Sequence, residues 1–232
     1  MSTANRFGAR LGVLALVLAS LPAMAIEPFK ADYRANYMGV QADGSMSLEQ
    51  RPNGQWSYSL QVKNQMAELR QNTVFYQHNG LLRPLSSTDT ANVIIKRRNV
   101  QATYDWARNQ ASWSGDVKAE RRGPIALRAG DMDALLINLA IMRDARPGAQ
   151  MHYRFADVGR LRMHQYQAAA STEIVPVCEL SYDALRVWRS NASAGDAMVL
   201  WIANGVPTPV RITQQEDGKD TIDLRLIQYQ GE

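Results

Sequence analysis

Period-two alternation of apolar and polar residues dominates this sequence. In the segment 29–37 every second residue is apolar, and charged or amide side chains occupy the positions between them. Residues 56–63, 151–155, 161–163 and 222–226 repeat the pattern. Strands of this kind have one dry and one wet face, which is typical of antiparallel sheets and not of buried parallel ones. The alternation therefore predicts a mainly β protein.

Turn-forming residues separate these runs at intervals typical of β-meanders. The turns are predicted at 51–54, 78–80, 107–110, 157–159 and 216–218, and four of the five contain glycine. They pair neighbouring strands and give ten to twelve strands in all. No period of twenty to fifty residues recurs, which argues against a propeller or a solenoid.

The segment 131–144 interrupts this pattern, because its apolar residues are spaced three and four apart as in a helix. Asp131 is the predicted N-cap, and Pro147-Gly148 ends the segment. The helix is apolar on nearly all sides, so most of its surface must be covered. We therefore predict a strongly curved antiparallel sheet, a half-barrel or open barrel, wrapped around one apolar α-helix.

The first 25 residues have the form of an export signal. Arg6 and Arg10 precede an apolar run from Leu11 to Leu21, and the small residues of Ala23-Met24-Ala25 suit a signal peptidase. We predict a signal peptide over 1–25 with cleavage near Ala25, a periplasmic location, and one domain over 26–232. The apolar run is too short for a spanning helix, so no transmembrane segment is expected after processing.

Charge and cysteine content exclude further classes. The formal charge is +4 for the whole chain, and loss of the two arginines of the signal leaves about +2, so nucleic acid is not an expected partner. Cys178, the one cysteine, rules out an internal disulfide. Its apolar flanks Val177 and Leu180 predict a small buried side chain.

Catalytic and metal-binding motifs are absent from the sequence. It contains no His-Glu-x-x-His, no Gly-x-Ser-x-Gly and no phosphate-binding glycine loop. His152 and His164 are predicted on the polar side of adjacent strands, as surface histidines opposite Tyr153 and Met163. We predict a non-enzymatic protein with no catalytic residues, no metal site and no cofactor.

A family resemblance supports this outline. The sequence Gly130-Asp131-Met132-Asp133-Ala134-Leu135-Leu136 after Gly123-Pro124-Ile125-Ala126-Leu127, and the late pattern Trp201 … Pro209-Val210-Arg211-Ile212-Thr213 … Gly218, resemble the bacterial exported proteins of domain-of-unknown-function family 3108. The resemblance implies a curved antiparallel sheet around a helix. That outline is similar to the half-barrels of periplasmic lipoprotein carriers, an analogy of fold alone.

A sheet that does not close around its helix leaves a gap, and methionine and aromatic side chains around such a gap would accept an apolar ligand. The candidate ligand-binding residues are Leu135, Leu136, Leu139, Met142, Trp56, Tyr58, Trp201 and Arg211. Arg211 is a candidate for binding an anionic head group. The simpler interpretation is that the residues around it form a sheet edge shaped by Pro207 and Pro209.

The leading hypothesis is a non-enzymatic binder of an apolar or lipidic envelope component, or of an envelope protein. The alternative is a structural or assembly scaffold with a fully packed core. A less favoured third is a cell-wall glycan hydrolase, which needs two carboxylates at a suitable separation. The sequence leaves the oligomeric state open.

Overall fold

The computed structural model describes residues 26–93 and 96–231, and these form a mainly β structure. The strands are β1 Phe29–Tyr37, β2 Val40–Arg51, β3 Gln55–Lys63, β4 Ala67–His78, β5 Leu81–Val93, β6 Lys96–Asp105, β7 Gln110–Gly115, β8 Ile125–Ala126, β9 Asp131–Met132, β10 Gln150–Asp157, β11 Arg160–Ala168, β12 Glu173–Val177, β13 Leu180–Arg189, β14 Ala197–Ala203, β15 Arg211–Glu216 and β16 Lys219–Gly231. The α-helix α1 spans Ala134–Asp144. Short 3₁₀ turns occur at Pro52–Gly54 and Ala119–Arg121.

All sixteen strands belong to one sheet. Its order is β8-β7-β6-β5-β4-β3-β2-β1-β16-β15-β14-β13-β11-β10-β9, and β12 pairs with β13 beside this path. Every pairing is antiparallel except that of β9 with β10. The path begins at one strand and ends at another that is not its neighbour, so the sheet is open. The predicted curved antiparallel sheet around a helix is confirmed.

Hairpin turns lie where the sequence predicts them. Asn79, Asn109 and Asp217 each adopt a positive φ of 50°, 52° and 51° at the tips of their hairpins. Asparagine and aspartate tolerate this left-handed conformation better than other non-glycine residues. The structure has more strands than the ten to twelve predicted, partly because β8 and β9 are only two residues long.

The helix starts later than predicted. Asp133, not Asp131, is the N-cap, and its carboxylate accepts a hydrogen bond from the Leu136 backbone N–H at 3.0 Å. Asp131 lies instead in β9, where its fully buried carboxylate accepts hydrogen bonds from Arg154. Both residues are aspartates ahead of an apolar run, so the local sequence does not show which one caps the helix. The pairing of β9 with β10 gives Asp131 its different role, and that pairing joins residues far apart in the sequence.

The core lies between the helix and the sheet. Residues Leu135 to Ile141 are all buried, and α1 packs against β3, β4, β5 and β10. Apolar side chains from β1, β2 and β10–β16 join it in one cluster. A second, smaller cluster lies under β6 and β7, where Tyr104 and Trp113 pack against Val117, Leu127 and Ala156. The helix therefore fills the hollow of the larger part of the sheet.

The sequence-based prediction of which face of β11 is buried is wrong. Leu161 and Met163 are 37% and 46% exposed, whereas His164, Tyr166 and Ala168 point into the core. His164 lies directly opposite Tyr153 in the β10–β11 pairing, so the two side chains share a face. The prediction of His164 as a surface histidine is wrong for the same reason, since a shift of one residue exchanges the faces of a strand.

Candidate functional site

The buried start of α1 has a structural role. Thr73 donates a hydrogen bond to Asp133 Oδ2 at 2.5 Å, while Asp133 Oδ1 accepts from Leu136. Burial raises the pKa of Asp133 to about 6, and the two hydrogen bonds to its carboxylate limit that rise. These contacts attach the helix to β4 and use both carboxylate oxygens, so Asp133 serves as the cap of α1.

Most of the eight candidate ligand-binding residues lie in or beside the main core. Leu135, Leu136, Leu139 and Tyr58 are buried, with exposed fractions of 8% or less. Trp56 and Trp201 pack against the same cluster and are partly buried. Met142, in α1, is also partly buried. The structure brings these side chains together as packing partners.

Trp201 and Arg211 lie side by side on β14 and β15. The Arg211 guanidinium lies 5.1 Å from the centre of the Trp201 ring, and it donates two hydrogen bonds of 3.0 Å to Asp223. Although partial burial disfavours the Asp223 carboxylate, hydrogen bonds from Arg211 and Arg225 lower its pKa. Arg211 is therefore already paired and stacked.

Two of the concavities on the surface of the described residues are large, and none of the eight candidate residues lines either one. The first, about 930 Å³, crosses β2 to β6 and is called here the polar groove. The second, about 900 Å³, lies near the turns that join β1 to β2 and β15 to β16, and mixes cations with carboxylates. Both are places where a partner or ligand could be held.

Hydroxyl and amide groups dominate the polar groove. Nine of its fifteen lining residues are Ser, Thr, Asn or Gln, five are charged and one, Leu60, is apolar. Ser45 and Ser47 alternate with Met46 and Leu48, which are 1% exposed, so the groove lies on the face opposite the core. Twisted sheets are saddle-shaped, which allows a concave surface on both faces.

Neighbouring side chains already order part of the groove. Ser47 and Ser59 share a hydrogen bond of 2.8 Å between their hydroxyls, and Ser57 donates to Asn72 Oδ1 at 2.8 Å. Two of the charged side chains also pair within it, since Arg70 contacts Glu68 at 3.0 Å. The groove is a preorganised surface with little unbalanced charge.

Two sequence predictions about single side chains need correction. Cys178 is half-buried in the turn between β12 and β13 with φ of 54°, and its Sγ lies 3.9 Å from the Arg225 carbonyl oxygen, so it is not a buried core residue. His164 is 7% exposed, and its ring centre lies 4.4 Å from that of Phe155. Within residues 26–93 and 96–231, no group of three or more His, Cys, Asp or Glu is arranged to hold a metal ion.

Sequence reasoning missed the polar groove. The signal was present, because the wet positions of β2 to β5 carry mainly serine, threonine, asparagine and glutamine where lysine and glutamate are common on exposed faces. Only the strand register places these residues next to one another.

The comparisons with known proteins agree with this fold. The family model "Protein of unknown function (DUF3108)" matches residues 32–225. The chain belongs to this family. The resemblance drawn from the Gly130–Leu136 and Trp201–Gly218 segments is thereby confirmed.

Solved structures give a fold likeness to this DUF3108 protein. It is similar to a β-barrel-like protein of domain of unknown function DUF1849 from Brucella abortus, with a TM-score of 0.53 and 9% sequence identity. The likeness covers 89% of this chain and 98% of the other. At this identity it shows the fold alone. Among curated proteins, none matches this sequence.

Proposed function

We propose that this DUF3108 protein is an exported, non-enzymatic protein of the cell envelope that acts through its outer surface and carries no ligand inside its sheet. The observation that carries the proposal is the packing of α1, since Leu136, Ala140 and Ile141 are 0% exposed. A carrier of acyl chains needs open apolar volume at that position. The geometry thus favours the scaffold hypothesis over the lipid-binding one.

Export rests on the sequence of residues 1–25, which lie outside the described residues. Among the described residues, α1 is too short to cross a bilayer and no other helix is long and apolar enough to do so. The non-enzymatic part of the proposal is supported by the occupied roles of the buried carboxylates, because Asp133 caps α1 and Asp131 pairs with Arg154.

Titration of the lipid-stripped protein with a fluorescent fatty acid tests the proposal. We expect no saturable uptake, and no rise in melting temperature when unlabelled fatty acids are added, since a ligand that binds the native state stabilises it. Saturable uptake that Leu136→Asp abolishes in a protein with an unchanged circular dichroism spectrum would contradict the proposal and restore the lipid-binding hypothesis.

A further inference from the structure

A continuous row of uncharged side chains crosses six strands, and its members on β2 to β5 line the polar groove. Strand pairing places each residue directly opposite the next, from β2 to β7. The members of this central row are Ser47, Ser59, Asn72, Thr88, Gln101 and Ser114. None of the six is charged or apolar, although they are far apart in sequence.

A second row runs parallel to the first on the same face. It passes from Ser45 and Gln61 through Arg70 to Thr90 and Asn99, and Arg70 is its one charged member. Corresponding members of the two rows are two residues apart on each strand, or roughly 7 Å. Together the rows form a band of hydrogen-bonding groups, most of them uncharged.

The repeat of this band matches the repeat of an extended sugar chain. Adjacent strands lie about 4.8 Å apart, which is close to the length of one sugar residue in an extended glycan. Hydroxyl and amide groups both donate and accept hydrogen bonds, as sugar hydroxyls do. Neutral groups also lose less hydration energy than ions when a ligand covers them.

Other occupants fit the groove less well. A polyanion needs a large surplus of cations, but the three arginines of the groove lie beside Glu68 and Asp116, and two of them are paired, Arg70 with Glu68 and Arg98 with Asp89 at 2.6 Å. An apolar or membrane partner needs apolar lining, and Leu60 is the one apolar residue among the fifteen.

We propose that the polar groove, together with the row of side chains that continues from it onto β6 and β7, binds an extended, uncharged polysaccharide strand with about one sugar residue per strand. The inference rests on the proposed function, because it names what the outer surface of an envelope protein binds. The bound chain remains intact, since no step in this binding breaks a bond.

Calorimetric titration of the purified protein with cellohexaose and with chitohexaose tests the inference. We expect saturable binding of at least one of them. The corresponding disaccharide should bind about tenfold more weakly or worse, because it contacts fewer side chains of the rows. The affinity should stay constant as salt rises from about 50 to about 500 mM, as expected for an uncharged ligand.

Paired alanine variants locate the binding. Asn72→Ala/Thr88→Ala removes two central members of the row and should weaken binding about tenfold. Gln165→Ala/Thr213→Ala likewise removes one amide and one threonine, on β11 and β15 outside the groove, and should leave the affinity unchanged. Both double variants should keep the melting temperature of the parent protein.

Three results would overturn the inference: no binding of either hexasaccharide, equal affinity of the two double variants, or binding restricted to a polyanion such as heparin and lost in salt. Cleavage of a bound hexasaccharide is a separate outcome, detected by chromatography of the recovered sugar. Cleavage would refute the proposed non-enzymatic function. The paired alanine variants would still show whether the sugar binds in the groove.

Discussion

The acid–base behaviour of His164 is altered by its surroundings. Burial lowers its pKa to about 4, with a smaller contribution from the nearby charges of Arg189 and Arg162. Its Nε2 is buried and has no hydrogen-bond partner among the described residues. The native protein therefore holds a neutral imidazole that the unfolded chain would protonate below about pH 6.5.

This difference predicts acid sensitivity from His164. Between about pH 6.5 and 4 the unfolded state binds a proton that the native state does not, so the contribution to stability falls as pH decreases through this window. Asp133, with a pKa raised to about 6, has the opposite slope, so the two partly cancel in the parent protein.

We expect His164→Phe to remove this acid sensitivity while keeping the packing against Phe155. Urea unfolding from pH 7 to pH 4 should show the variant gaining stability relative to the parent as pH falls. The exposed His152→Phe variant is the control and should follow the parent curve. Identical pH profiles for the parent and His164→Phe would contradict the buried, neutral histidine.

The cap of α1 gives a second prediction. Asp133→Ala removes the acceptor of the Leu136 N–H and leaves the Thr73 hydroxyl without its partner, at a cost of about 2–3 kcal/mol. Asp133→Asn keeps the cap without a buried charge and should be far milder at pH 7. Chemical denaturation measures both, with exposed Asp43→Ala as control; equal losses for Ala and Asn would contradict the assigned role.

The sequence predicts the positions of the strands better than it predicts which strands pair with one another. The alternation in β1, β3 and β16 identifies the buried face correctly, because Tyr33, Tyr58 and Leu224 are large apolar residues between polar or charged ones. In β11 the alternation is ambiguous, since methionine and leucine occupy one face while histidine and tyrosine occupy the other. Burial there depends on contact with β10 and β13, which the local pattern does not contain.

The helix supports a prediction about core filling. Leu136→Ala should destabilise the protein by about 3–5 kcal/mol, because a fully buried leucine leaves a cavity behind. Leu81→Ala, at a side chain that is 36% exposed, should cost less than about 0.5 kcal/mol. Urea unfolding measures both; a small loss for Leu136→Ala would mean that α1 does not fill the hollow.

The β10–β11 hairpin depends on close backbone packing at Gly159. A Cβ at this position would lie 2.3 Å from the Arg121 carbonyl oxygen, and the φ of 68° is itself unfavourable for alanine. We expect Gly159→Ala to cost about 3 kcal/mol or more. Gly80→Ala, with φ of 75° but open space around it, should cost only about 1 kcal/mol. Thermal unfolding compares the two, and similar losses would contradict the hairpin contact.

The candidate site emerges only from the complete sheet. Ser47 and Ser114 are more than sixty residues apart, and six strands must be in register before they share a row. Sequence analysis could predict the curved sheet and its helix, because each depends on local periodicity. It predicted packed core residues such as Leu136 as ligand contacts, because periodicity does not reveal whether an apolar face encloses space.

Export predicts a defined amino terminus. Protein recovered from the periplasm should begin Ile26-Glu27-Pro28, because Ala23 and Ala25 are the small residues that signal peptidase requires. In the structure Ile26 packs against the main core. Ala25→Asp should block processing, as seen by amino-terminal sequencing and mass. Recovery of a protein that retains Met1 outside the periplasm would contradict export.

β16 joins two sets of strands, because it pairs with β1 on one side and with β15 on the other. Until residues 219–231 are present, β1 and β15 each have an unpaired edge. No strand pairing then joins the set from β8 to β1 with the set from β15 to β9. In the export that we propose, the two sets of strands therefore cannot be joined until β16 has left the translocation pore. A product truncated before β16 would leave one edge of β1 and one edge of β15 unpaired, and unpaired strand edges promote aggregation.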